Sequence, residues 1–128
     1  MPYYFSKRID AGFDEAVRRA RSALEAQGFG VITEIDVRDT LKKKLDVDFR
    51  PYLILGACNP ALAHEALKLE DKVGTMLPCN VIVQKISEGQ TEVAAIDPVA
   101  SMQAIDNPQL ADSARLVAAR LRSAIDSL

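Results

Sequence analysis

The sequence predicts an α+β fold: an antiparallel β-sheet in a β-α-β4-α core, with a long C-terminal helix and two short inserted helices. Three observations predict it. One strand pattern and one helix pattern open the chain, four strand patterns follow, and a long helical pattern closes it. The last two strands are joined by a short turn rich in polar residues and glycine, so they pair antiparallel. The two longest helices each carry a single apolar stripe, which has to be buried against one face of the sheet.

The first strand is Tyr3 to Arg8, aromatic and alternating. A helix follows from Asp10-Ala-Gly, with Phe13, Ala16, Val17, Ala20 and Leu24 on one stripe. Asp14 with Arg18 and Glu15 with Arg19 have the spacing of favourable helical ion pairs. Gly28 is placed to stop this helix in a left-handed conformation, and Phe29 to make the apolar contact that follows such a cap. Gly30 to Asp36 is the second strand. A charged helix over Arg38 to Leu45 should turn Leu41 and Leu45 inward and Lys42 to Lys44 outward.

Tyr52 to Ala57 is a nearly continuous apolar run, which predicts a central strand. Gly56 within it leaves room for close approach by another backbone or a ligand. Asn59-Pro60 has the residue types of an N-cap and first helical position, and Leu62, Ala63, Ala66, Leu67 and Leu69 give that helix its buried side. Cys79 to Ile86 and Thr91 to Asp97 are the last strands, with Ser87 to Gln90 as the hairpin loop. Asp97-Pro98 breaks the strand. Asn107-Pro108 repeats the helix-start signal, and Leu110, Ala114, Val117, Leu121, Ile125 and Leu128 form the stripe of the last helix.

With 128 residues the chain fits one domain spanning 1–128. Its formal net charge is −2, which disfavours nucleic acid, because phosphate neutralisation needs a basic surface. Arg18, Arg19 and Arg21, and Lys42 to Lys44, read as solvated helix faces. No apolar run approaches the roughly 20 residues that span a bilayer, so no membrane partner is expected. The first residues lack the pattern of a secretory signal, which points to a cytoplasmic protein with reduced thiols.

The chemistry-bearing residues gather at two junctions, Cys58-Asn59 and Cys79-Asn80, which hold both cysteines of the chain. Cys58 directly precedes an expected helix start, and the positive end of a helix favours a thiolate. If the two strands lie side by side, the thiols form a redox pair or two soft ligands. Cys58, Cys79 and His64 then make a candidate metal set, with Cu(I) better suited than zinc, which usually takes four ligands. The bland reading is that cysteine is a small hydrophobe, and that Leu55, Ala57, Leu77 and Val81 surround two core positions. Asp46, Asp48 and Asp97 are a second, acidic candidate for a cation or acid–base site. Met76, Met102, Tyr52 and Phe49 are candidates for an apolar pocket. No phosphate loop, dinucleotide fingerprint, nucleophile elbow or triad appears, so no cofactor is named.

The segments KKLDVDFRPYLILGACNPALAHEAL, GTMLPCNVIV and TEVAAIDP resemble the family called Domain of Unknown Function 302, over nearly the whole chain. Cys58, Asn59, Pro60, Pro78, Cys79, Asn80, Asp97 and Pro98 match its pattern. The resemblance implies a TATA-binding-protein-like α+β fold, with a curved antiparallel sheet, and a homodimer. It assigns no catalytic residue and does not imply DNA binding, since one fold hosts many functions. A dimer also follows from the sheet, whose second face needs cover. Three functions fit these residues. The first is a dimeric module or sensor binding a small molecule or metal at Gly56, Cys58, Asn59, Cys79 and Asn80. The others are a thiol-dependent enzyme or redox protein using Cys58, and a purely structural or interaction protein.

Overall fold

The computed structural model describes residues 2–128, and its elements follow the α+β order the sequence predicts. They are β1 (Tyr4–Ile9), α1 (Phe13–Ala26), β2 (Gly30–Asp36), α2 (Val37–Leu45), β3 (Tyr52–Cys58) and α3 (Pro60–Leu69), then β4 (Cys79–Ser87), β5 (Gln90–Ile96), α4 (Pro98–Ser101) and α5 (Pro108–Asp126). A single 3-10 turn, Val73–Met76, lies between α3 and β4. The five strands form one antiparallel sheet in the order β1-β5-β4-β3-β2.

Alternation along the strands separates two faces. Leu53, Val83 and Val93 form one cross-strand row, and Leu55, Val81 and Ala95 the next. These are buried beneath α1 and α5, against Ala16, Ala20, Leu24, Leu121, Ala124 and Ile125. The opposite face carries the row Ile35, Ile54, Ile82, Ala94 and Ser6 across all five strands. Among the described residues no helix covers that row, and Ile35 stays half exposed. Beside it Arg50 donates to Gln84, Gln84 donates to Glu92, and Glu92 pairs with Arg8.

The helix caps are those the residue types dictate. α1 ends in a Schellman turn: Phe29 N–H donates to Leu24 O at 2.9 Å and Gly28 N–H to Glu25 O at 3.0 Å. Gly28 takes φ +85°, where a side chain would be strained, and Phe29 is buried behind it. Asn59 Oδ1 caps α3, accepting from Leu62 N–H, and Asn107 Oδ1 caps α5, accepting from Gln109 and Leu110 N–H.

Several expectations change. The hairpin turn is Glu88-Gly89 alone, since Ser87 and Gln90 still pair. The pair on α1 is Glu15 with Arg18, one residue closer than the expected spacing, because on a helix i,i+3 neighbours are as near as i,i+4. Asp97-Pro98 does more than break a strand: it starts the short helix α4, with Asp97 Oδ1 accepting from Val99 N–H. α2 buries no residue, and Leu45 is 66% exposed instead of facing inward, because α2 hangs off the β2 edge rather than lying over the sheet.

A second, smaller apolar cluster sits past the β3 and β4 junctions. Ala66, Val73, Met102, Leu110 and Ala114 form it, with Leu69, Met76, Leu77 and Ile105 packed around them.

Candidate functional site

Between the two apolar clusters the chain leaves a cavity of about 320 Å³. Its floor is the junction end of the sheet: Ala57 and Cys58 at the end of β3, and Cys79 at the start of β4. Leu62, Ala63, Ala66 and Leu67 wall it from α3, and Leu110, Ser113, Ala114 and Val117 from α5. Met102, Leu77, Phe29 and the exposed Ile32 also line it. Alanines stand where α3 and α5 face each other, and their short side chains keep the space open. Among the described residues no charged side chain lines it.

The antiparallel register brings the two cysteines together at this floor. Ala57 pairs directly with Cys79, and Cys58 follows Ala57. Both thiols are free. Cys58 is half-buried, whereas Cys79 is 6% exposed. Burial pushes the Cys79 thiol up to about 11, with a smaller contribution from the neighbouring Cys58. Cys79 is therefore a neutral thiol near pH 7, a weakly polar wall rather than a nucleophile.

Asn59 lines the cavity too, with its oxygen committed to the α3 cap. Gly56 and Asn80 do not. They pair with each other on the uncovered sheet face, one position out of phase with Ala57 and Cys79. The lack of a side chain at Gly56 serves close packing. A Cβ there would meet Thr33 Oγ1 at 2.0 Å and Pro78 Cγ at 2.8 Å. The Leu77–Pro78 peptide beside it is cis.

The three-residue metal set is not assembled. His64 is exposed, away from the α3 face formed by Leu62, Ala63, Ala66 and Leu67. Among the described residues, no group of three or more His, Cys, Asp or Glu side chains is placed to hold a metal ion. The acidic candidates are separated as well. Asp46 and Asp48 share Lys42 near the start of β3, while Asp97 caps α4 beyond the end of β5. Of the expected pocket residues only Met102 reaches the cavity; Tyr52 and Phe49 pack with Arg50 elsewhere.

Sequence reasoning missed the α5 wall and Phe29. Their signal was the helix stripe itself, because Leu110, Ala114 and Val117 belong to it, but a stripe does not say where packing leaves a gap. A larger depression of about 500 Å³ lies between the start of α1 and the hairpin, lined by Asp14, Glu15, Arg38, Lys85 and Glu88 among others. Its walls are charged and solvated. Among the described residues no helix is long and apolar enough to cross a membrane.

Comparison with curated proteins gives no match. Among solved structures, the chain is similar to an uncharacterized conserved DUF302 protein from Bacillus stearothermophilus, known from a crystal structure. The two are 29% identical, with a TM-score of 0.88 over 97% of this chain and 96% of that one. The family described as Domain of unknown function DUF302 matches residues 5–128, and the chain belongs to it.

Proposed function

We propose that this protein is a homodimeric module that binds a small molecule in the cavity at the Cys58 and Cys79 strand ends. The observation that carries the reading is the cavity itself. An opening of about 320 Å³ between two packed clusters falls in the size range of small-ligand sites. Packed interiors seldom keep a space of this size. The walls are apolar, and the polar groups, Cys58, Asn59, Cys79 and Ser113, are few, as expected where burial supplies affinity and a few contacts supply orientation. The uncovered row Ile35, Ile54, Ile82 and Ala94, bordered by the Arg8, Gln84, Glu92 and Arg50 network, supports a second copy as its cover. The two free thiols support work in a reducing, cytoplasmic setting.

A thermal-shift series with small aliphatic and aromatic alcohols tests the cavity. A ligand at a hundred times its Kd stabilises the native state by about 2.7 kcal/mol, which raises Tm by several degrees. The same probes should leave an Ala63→Trp variant unmoved, because an indole on the α3 wall fills the space. If no probe shifts the wild type, or if the variant responds equally, the cavity is not a binding site.

A further inference from the structure

We infer that the ligand class of this cavity is an apolar monocarboxylate, with its tail in the cavity and its carboxylate on Arg120 and Asn59. This rests on the binding reading above and names the chemistry it would take. The Schellman turn at Gly28 leads directly into Phe29, a cavity wall. A Cβ on Gly28 would lie 3.2 Å from Asn59 Nδ2 and 3.7 Å from Arg120 Nη1. Two nitrogen donors therefore lie on the same side of Gly28, Asn59 from the cavity wall and Arg120 from the turn of α5 that follows the wall residue Val117.

Each is available for a reason the structure supplies. Asn59 spends its oxygen on Leu62 N–H, which leaves its NH2 as the free end of the amide. Arg120 lies one turn beyond Val117 on α5 and is half-buried. Among the described residues no carboxylate is within ion-pair distance of it. Its helix neighbour Arg115, by contrast, is paired with Asp112, and Arg21 with Glu34. A planar guanidinium presents parallel N–H groups that match a carboxylate, and an amide NH2 adds a further donor.

The apolar walls decide the rest of the ligand. A second charge placed in the cavity would be desolvated with no partner, so a dicarboxylate or an amino acid is disfavoured. An unbranched or aromatic tail without charge meets Leu62, Ala63, Leu110 and Val117 instead.

Calorimetric titration of the saturated monocarboxylates from butanoate to dodecanoate, against the alcohols of equal length, tests this. The best acid should bind wild type at least about tenfold tighter than its alcohol, the effect of one charge-assisted contact. Arg120→Gln should erase that preference while leaving alcohol binding and the unliganded Tm unchanged, and Arg120→Lys should restore part of it. Alcohols binding as tightly as acids, or an acid preference that survives Arg120→Gln, overturns the carboxylate assignment but leaves the cavity a binding site. If neither series binds, both readings fall.

Discussion

The two cysteines show how one residue of offset separates two chemistries. Cys79 faces the core from the start of β4, and its thiol is pushed up to about 11 by burial. Because its folded pKa is raised, the proton is held more tightly in the native state. The associated stability is complete below the unfolded value of about 9 and is lost as pH climbs through about 11. Two units correspond to at most about 2.7 kcal/mol. Urea unfolding between pH 8 and 11 should show wild type losing that much more stability than Cys79→Ala; equal slopes would mean that the thiol is not desolvated. The sequence placed both cysteines at junctions, and that was correct. Neighbouring strand residues point to opposite faces, so Cys79 and Asn80 could not both serve one cavity, whereas Cys58 and Asn59, where β3 ends, both line it. Gly56 and Asn80 went to the other face for that reason. Arg120 carried no signal, since nothing in a helical stripe tells a solvated arginine from one held at a cavity edge.

The helices were the most legible elements because their ends are chemically marked. Asn59-Pro60, Asp97-Pro98 and Asn107-Pro108 each place an N-cap side chain before a proline at the first helical position. Asn59-Pro60 and Asn107-Pro108 are legible as helix starts and Asp97-Pro98 only as a strand break, since α4 is four residues long and leaves no periodicity to detect. At α5 the cap has a further task. Asn107 Oδ1 accepts from Gln109 and Leu110 N–H, and its Nδ2 donates to Leu69 O, which ties α5 to the end of α3. Asn107→Ala should therefore cost about 1–2 kcal/mol, at the high end for a cap, measured by urea denaturation. Asn107→Asp keeps the cap and loses only the tie, and should fall between. An alanine variant as stable as wild type would show that the cap adds nothing. α2 differs for the opposite reason: Leu41 and Leu45 have helical spacing, but only Leu41 is half-buried, and spacing cannot reveal that the last turn of the helix, with Leu45, runs out into solvent.

At the scale of the molecule, the antiparallel sheet with helices on one face followed from the hairpin and the apolar stripes, while the strand order, which sets β1 beside β5, carried no signal. The cavity did not, because it is a failure of two clusters to meet rather than a feature of either. The uncovered face carries the proposed dimer. Light scattering should report twice the chain mass for wild type at micromolar concentration, and a monomer for Ile82→Glu, which places a charge at the centre of the apolar row. A wild type that stays monomeric rejects the dimer, while the cavity, on the other side of the sheet, would be unaffected.

Strand order also governs how the chain assembles. β3, β4 and β5 are neighbours in sequence and in space, so they can pair early. β1 is made first yet waits for β5, since Tyr4 meets Ile96 and Ile9 meets Thr91. Long-range pairing of this kind closes late, after much of the chain has lost its freedom. A nascent or refolding chain therefore carries an unmatched N-terminal strand beside an open β5 edge. In a concentrated refolding mixture the β5 of another copy offers the same register, and strand exchange between copies is the misfolding route that this topology leaves open.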